Sequence, residues 1–193
     1  MKMAASLLLA AMAAAAADPI VEGRADSKVR VIVFEDLQCS DCAAFRRMLD
    51  EILLPRYRGE VAFLHRDFPL AKHDWARKAA IAARYFSELN AQLGIEYRRY
   101  AMANIANSAD ANFDNRLADF ARKHSMDGEK VTAALGDRRL AGLVEKDFQD
   151  GVARGVAKTP TVFVNGKPFI ETFTAEEISK AIDQALAEAK SSQ

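Results

Sequence analysis

The chain has 193 residues, half of them hydrophobic, and its 27 Lys and Arg residues balance its 27 Asp and Glu residues. This length and apolar content indicate one globular domain with a real hydrophobic core, which excludes a disordered chain. The charge balance argues against nucleic acid or an anionic membrane surface as the main partner, because both select a basic excess.

The first 17 residues have the layout of a cleavable secretory signal. Lys2 is followed by an apolar run from Met3 to Ala17, which ends in an Ala-x-Ala pattern and is short for a transmembrane helix. Its removal leaves 26 basic and 27 acidic residues, a net charge of −1. The alternatives are an uncleaved anchor or a buried Ala-rich helix. We therefore expect a periplasmic or otherwise extracytoplasmic protein, in an oxidising compartment where disulfides persist.

A strand, a helix and a second strand are the first elements predicted after a polar approach, IVEGRADSKVR. VRVIVFE, Val29–Glu35, is a β-branched run of strand length. Apolar residues then recur at helical spacing from Cys42 to Leu53, and Pro55 and Gly59 are expected to end this helix. EVAFLHRDF is the next strand, and we expect a parallel, right-handed strand–helix–strand unit.

The rest of the chain is predicted to be helical and then to return to strands. From His73 to about Gly155 the pattern indicates five consecutive short helices. TPTVFVNGKPFIE then predicts a β-hairpin, because Asn-Gly between apolar runs suits a turn with positive φ at both central residues. Thr174 and Glu177 form a Thr-x-x-Glu capping box in front of a final amphipathic helix.

The only two cysteines, Cys39 and Cys42, lie where the first predicted strand meets the first helix. Unpaired N–H groups at a helix start favour an anion, and the thiolate is the form of cysteine that attacks disulfides. Cys39 is therefore predicted to be the exposed attacking thiol, with Cys42 as its sheltered partner.

The alternatives for the cysteine pair are a structural disulfide and one half of a metal site. A structural bridge across so short a loop would contribute only about 2 kcal/mol in the loop-entropy account. A structural zinc site needs four ligands, and His65, His73 and His124 have no metal-type spacing. We accordingly expect no metal and no cofactor.

Three stretches together resemble the DsbA-like thiol–disulfide oxidoreductases of the thioredoxin superfamily: VIVFEDLQCSDCAAF, RDFPLAKHDWARKAAIAA and GVAKTPTVFVNGKPF. The resemblance runs from about Ile20 to the last helix. It implies an α/β fold, in which residues 18–193 form a thioredoxin domain with a helical insertion at about 71–156 between the βαβ and ββα halves.

The resemblance also assigns roles to individual residues. It makes Cys39 the nucleophile and Cys42 the resolving cysteine, and it places Thr159 and Pro160 in a cis-proline loop that faces them. A cis X-Pro bond makes a tight turn, which would leave the Thr159 backbone free to pair with an extended substrate segment. An ordinary proline at the start of a strand is the alternative. Ser40 and Asp41, between the cysteines, are expected to contact substrate.

Two departures from the family pattern affect the predicted chemistry. Asp41 stands where many relatives have a histidine or an aromatic residue, and its carboxylate opposes a thiolate on Cys39. A weaker oxidant is therefore expected. Val33 occupies the position of a buried acid of many relatives, and Glu35, on the same face of the strand, is a candidate for its proton-transfer role. A surface carboxylate at the strand end is the alternative.

The sequence thus predicts an exported dithiol–disulfide oxidoreductase. Its expected partners are exported proteins with thiols or disulfides and a membrane or soluble redox partner, with no nucleic acid, and a monomer is expected. The alternatives are a disulfide reductase or isomerase, a non-catalytic module that binds peptides, and a thiol-based copper or zinc carrier.

Overall fold

The computed structural model describes residues 20–191. The predicted secretory signal, residues 1–17, lies outside this range. Within it, no helix combines the length and the apolar character needed to cross a membrane.

A mixed sheet with the strand order β1-β3-β2-β4-β5 forms the centre of the described chain. Its strands are β1 (Ile20–Gly23), β2 (Arg30–Glu35), β3 (Ala62–Asp67), β4 (Thr161–Val164) and β5 (Lys167–Ile170). The β2 and β3 strands are parallel, as predicted, and the other neighbouring pairs are antiparallel. The β1 strand was not predicted, because a four-residue strand that contains Glu22 resembles a polar connection.

Five helices lie between β3 and β4, in agreement with the predicted helical block. They are α3 (Ala76–Leu89), α4 (Ala91–Ala103), α5 (Asp110–Lys123), α6 (Gly128–Ala133) and α7 (Arg138–Ala153). Short 3₁₀ turns, Ile105–Asn107 and Ala134–Gly136, separate some of them.

The helix that follows β2 was predicted to end at Pro55 and Gly59, and it runs past Pro55 and ends at Tyr57, two residues before Gly59. It continues from α1 (Ser40–Met48) through a π-helical turn (Leu49–Leu53) into α2 (Leu54–Tyr57). In the wider turn the N–H of Leu54 donates to the carbonyl of Leu49, five residues back. Pro55 lies in the first turn of α2, where the missing N–H of proline is tolerated.

The C-terminal hairpin and helix agree with the prediction. Asn165 and Gly166 both have positive φ, 44° and 93°, and join β4 to β5. In front of α8 (Ala175–Ser191), the Thr174 N–H donates to Glu177 Oε2 and the Glu177 N–H donates to Thr174 Oγ1, which is the reciprocal capping box.

Two apolar clusters place the cysteines at the boundary between the sheet and the inserted helices. One cluster joins the sheet to α1 and α8, and includes Val33, Phe45, Leu49, Val162, Ile178 and Ile182. The other fills the helical block, and includes Trp75, Phe86, Tyr97, Phe113 and Phe120. Cys39 and Cys42 belong to this second cluster, so the thiol pair lies against the helical block.

Candidate active site

Cys39 caps the N-terminus of α1 and is held there by its own backbone. It has an extended conformation, with φ of −84° and ψ of 124°, and its carbonyl accepts the N–H of Ala43 at 3.0 Å. Its N–H donates to the carbonyl of Asp36 at 3.1 Å, which closes the turn between β2 and α1. The thiol is thereby fixed at the end of the helix where unpaired N–H groups favour negative charge.

Both thiols are buried, contrary to the prediction that Cys39 is exposed, although Cys39 is the less buried of the two. Cys39 exposes 7% of its surface and Cys42 exposes none, and both are free thiols. Cys42 Sγ accepts the backbone N–H of Asp36 at 3.4 Å, beneath the turn that carries Cys39. A partner can therefore approach Cys39 but not Cys42.

The Thr159–Pro160 peptide bond is cis, as the sequence analysis expected. Thr161, the next residue, begins β4 and pairs with Phe34 near the end of β2, so the loop lies beside the start of α1. Cys39 Sγ donates to the carbonyl of Thr159 at 3.4 Å. Residues 120 positions apart in the chain thus form one site.

A groove of about 490 Å³ gives access to Cys39. Its lining combines apolar, basic and acidic residues: Cys39, Asp41, Leu70, Ala71, Lys72, Ala157, Lys158, Thr159 and Glu171. Of the predicted substrate contacts, Thr159 and Asp41 line this groove. Ser40 is exposed at the first position of α1 but is not among the residues that line the groove.

The electrostatics of the pair favour a thiolate on Cys39 and a thiol on Cys42. A hydrogen bond with the Cys42 side chain is the main cause that lowers the pKa of Cys39, and the backbone N–H groups of Cys42 and Asp41 act in the same direction against partial burial. Together they lower the pKa of Cys39 from 9.0 to about 6. Burial, followed by the bond to Cys39, raises the pKa of Cys42 well above its ordinary value.

The Asp41 carboxylate was predicted to oppose a thiolate on Cys39, but Asp41 acts on the Cys39 pKa mainly through its backbone. Its backbone N–H helps to lower the pKa of Cys39, and its carboxylate is not among the main influences on that thiol. The Asp41 side chain is exposed, so water and salt screen its charge.

Glu35 is not a surface carboxylate at a strand end, because it exposes only 2% of its surface. Its Oε1 bonds to His65 Nδ1 at 2.8 Å and accepts from Arg98 Nε at 2.9 Å. Burial opposes ionisation, but the charges of His65 and Arg98 outweigh it and lower the pKa of Glu35 to about 2. Glu35 Oε2 has no hydrogen-bond partner within the described residues.

A family model described as thioredoxin matches residues 15–184. The chain belongs to the thioredoxin family. Among solved structures, this thioredoxin-family chain is similar to alpha-DsbA1 of Wolbachia pipientis, with a TM-score of 0.80 at 16% identity over 91% of this chain and 94% of that chain. Its fold is therefore that of the DsbA-like proteins, as the sequence motifs predicted.

Two proteins that are related to this chain in sequence have names that describe different activities. A putative protein-disulfide oxidoreductase of Rickettsia bellii is 25% identical over 178 residues, which cover 89% of this chain and 66% of that protein. The Na⁺/H⁺ antiporter NhaA 3 of Salinispora tropica is 28% identical over 171 residues, which cover 88% of this chain. This thioredoxin-family chain spans 25% of the length of the antiporter.

Asp36 is a site residue of this thioredoxin-family chain that sequence reasoning missed. Its carboxylate accepts the N–H groups of Gln38 and Leu70, each at 2.7 Å, and bonds to His73 Nδ1 at 2.8 Å. It therefore ties the cysteine turn to the loop that carries Leu70 and borders the groove. An Asp just after a strand and three residues before Cys39 is a turn signal that could have indicated this role. The bond to Asp36 gives His73 a structural role in this loop.

Proposed function

We propose that this chain is a thiol–disulfide oxidoreductase that acts through Cys39 and Cys42. The observation that carries the proposal is a thiol with a lowered pKa at a groove, with a second, sheltered thiol one helical turn away. The thioredoxin family and the name of the Rickettsia bellii relative support it.

In the oxidising direction, a substrate thiolate attacks Cys39 Sγ of the Cys39–Cys42 disulfide. The disulfide bond breaks, Cys42 leaves as a thiolate and takes up a proton, and a mixed disulfide joins Cys39 to the substrate. A second substrate thiolate then attacks its own sulfur in the mixed disulfide and expels Cys39, whose lowered pKa makes it a good leaving group. The reverse steps reduce a disulfide.

The cis-proline loop supplies the substrate contact in this proposal. Thr159 lines the groove, Pro160 after it is buried, and the Thr159 carbonyl lies at the attacking sulfur. The backbone there offers hydrogen-bonding groups to an extended segment, as in strand addition. Asp41 lines the same groove and Ser40 lies beside it.

We propose that the Cys39–Cys42 pair has a moderate oxidising power. A Cys39 pKa of about 6 lies between about 3.5 for the strongest oxidants of the superfamily and about 7 for thioredoxin. Because a less stabilised thiolate makes a more stable disulfide, we propose a weaker oxidant than typical DsbA. Reductase or isomerase work therefore stays an alternative, with the direction set by the redox partner.

The proposed setting is extracytoplasmic, and the support is the signal-like pattern of residues 1–17. The proposed substrates are exported proteins with thiols or disulfides, and a membrane or soluble redox partner would recycle the pair. We propose a monomer that does not bind nucleic acid, which fits its balanced charge.

Activity assays on cysteine variants test the function. Wild type is expected to reduce insulin or to oxidise a dithiol peptide, and Cys39→Ser is expected to lose at least about a hundredfold of that rate, since no nucleophile is left. Cys42→Ser should still attack and should accumulate the mixed disulfide, visible by mass spectrometry. Equal activity of wild type and Cys39→Ser would instead favour a non-catalytic module that binds peptides.

Glu35 is proposed as the group that exchanges a proton with Cys42 through a water molecule. Glu35 adjoins Asp36, whose N–H bonds the Cys42 sulfur, and the negative charge of Glu35 contributes to the raised pKa of Cys42. Its Oε2 is free of other partners within the described chain. In Glu35→Gln the Cys42-dependent step is expected to slow at least about tenfold near neutral pH. An unchanged pH dependence of that step would remove Glu35 from the mechanism.

A further inference from the structure

His65 joins two carboxylates from the strands on either side of β3. Its Nδ1 bonds to Glu35 Oε1 on β2 at 2.8 Å, and its Nε2 bonds to Glu22 Oε1 on β1 at 2.9 Å. The ring is wholly buried. An imidazole is able to take a proton at one nitrogen and release one from the other, so this arrangement links Glu22 to Glu35.

The outer end of this link reaches a cavity that is separate from the substrate groove. Glu22 lines a cavity of about 970 Å³ together with Asp50 and Arg99. The Asp50 and Arg99 side chains are about a third exposed, 30% and 33%, so this cavity meets solvent. It shares no lining residue with the groove at Cys39.

The inner end, Glu35, lies one residue before Asp36, whose N–H bonds the Cys42 sulfur, and its charge acts on that thiol. Cys42 has no exposed surface, so bulk water does not reach it directly. A substrate joined to Cys39 would also cover the groove during the step in which Cys42 loses or gains its proton. A proton route that leaves by the separate cavity beside β1 stays open in that state.

We propose that His65 and Glu22 extend the Glu35 pathway into a proton relay between the buried Cys42 and the solvent-filled cavity. This inference rests on the proposed function. When Cys42 leaves as a thiolate, His65 takes a proton at Nε2 from water in the cavity through Glu22, and the resulting imidazolium gives its Nδ1 proton to the ionised Glu35. Glu35 passes that proton through a water molecule to the Cys42 sulfur, and the ring is left neutral with its proton on Nε2. When Cys42 attacks a mixed disulfide, the same proton moves outward and the substrate leaves as a thiolate.

The surrounding charges favour a protonated His65 and ionised carboxylates on Glu22 and Glu35 at neutral pH. Charged side chains from β1, β2, β3, α1, α4 and the π-helical turn surround the imidazole or its two partners: Glu22, Glu35, Asp67, Arg46, Arg98, Arg99 and Asp50. Burial opposes a charge on the ring, but Glu35 and Glu22 raise the pKa of His65, which favours the imidazolium. The ring therefore holds a proton between two carboxylate acceptors.

The test uses the reduced protein and an aromatic disulfide reagent, which releases one coloured thiolate when Cys39 attacks and a second when Cys42 resolves the adduct. The first release is an internal control, because it needs no proton from Cys42. In His65→Gln the first release is expected to stay within about twofold of wild type. The second is expected to slow at least about tenfold near neutral pH and to depend more steeply on hydroxide.

Two isosteric variants sharpen the test. Glu22→Gln keeps a hydrogen-bond acceptor for His65 but removes the carboxylate, and is expected to slow the second release as His65→Gln does. Glu145→Gln changes a carboxylate in an exposed ion pair with Arg77, away from the cavity and the relay, and should leave both releases unchanged. If His65→Gln does not fold, Glu22→Gln decides the question alone.

The outcomes separate this inference from the proposed function. A normal second release in Glu22→Gln and in folded His65→Gln overturns the relay and leaves the function intact. Equal slowing of both releases, or equal slowing by Glu145→Gln, also overturns the relay, because either result indicates a structural or general electrostatic effect. A wild type that shows no second release, or a Cys39→Ser variant that reacts as wild type does, overturns the proposed function itself.

Discussion

At the scale of single residues, the chemistry of Cys39 depends on its neighbour. Because the Cys42 hydrogen bond is the main cause of the lowered Cys39 pKa of about 6, the thiolate population should follow that pKa. The rate at which iodoacetamide alkylates the reduced protein is expected to be half-maximal near pH 6. It should fall about tenfold for each pH unit below that value, because protonation removes the nucleophile.

The matched variant is Cys42→Ala, which removes the hydrogen bond and keeps the start of α1. Its alkylation midpoint is expected to move upward, toward the ordinary value of 9.0. Alkylation is followed by mass spectrometry at a series of pH values. A wild-type midpoint near the ordinary value, or a Cys42→Ala midpoint equal to that of wild type, would contradict the assigned cause.

Individual residues also show which parts of the candidate site could be predicted from the sequence. The spacing of Cys39 and Cys42 predicts that these two thiols pair, whereas the position of Pro160 beside them was predicted from the resemblance to the DsbA-like family. The buried state of Glu35 could not be predicted, because its partners His65 and Arg98 are 30 and 63 positions away in the chain. A glutamate at a strand end resembles a surface residue until those partners are known.

At the scale of elements, features that depend on a few neighbouring residues were predicted correctly, whereas the β1 strand, which depends on a distant partner, was not. The Asn165-Gly166 turn and the Thr174 capping box act within a few residues, so the hairpin and the start of α8 were predictable. By contrast, β1 exists through its pairing with β3, some forty positions later in the chain, and its own four residues carry little strand signal.

The π-helical turn is an element-level feature with a consequence for the ion network. The continued helix places Asp50 in the π turn, where its carboxylate accepts from Arg46 at 2.6 Å and from Arg99 at 2.7 Å. A helix that ended at Pro55 would have been a reasonable prediction for a regular α-helix. The wider turn therefore brings a charged residue of the first helix to Arg99 on α4, in the helical block.

At the scale of the whole molecule, buried ion pairs connect the sheet to the inserted helices. Arg98 reaches Glu35 and Asp67 from α4, and Arg84 of α3 bonds to Asp67 and Asp147. Each of these side chains exposes 4% or less of its surface. Removing one partner of a buried pair leaves an uncompensated charge, which typically costs about 3–5 kcal/mol.

This network predicts how the stability of the protein depends on pH. Glu35 has a folded pKa of about 2 against an ordinary 4.5. Its contribution is therefore present above about pH 4.5 and lost as the pH falls toward 2, and the difference corresponds to about 3 kcal/mol of unfolding free energy. The folded pKa of Glu22 is lowered too, so it acts in the same sense. His65 has a raised pKa, so its contribution is complete below its ordinary 6.5 and declines as the pH rises through the folded value.

The free energy of unfolding is therefore expected to be greatest between about pH 4.5 and 6.5 and to fall steeply in acid. Urea unfolding between about pH 3 and pH 8 measures it, in a Cys39→Ser, Cys42→Ser background so that thiol titration does not contribute. In that background Glu35→Gln should be less stable near pH 6 and should have a flatter acid limb. Glu88→Gln, at an exposed pair with Arg139, is the matched control and should change the curve by less than about 1 kcal/mol. A curve that stays flat down to about pH 3, or a Glu35→Gln curve parallel to that of its parent, would show that the buried carboxylates are not stabilised by their partners in the way these contacts indicate.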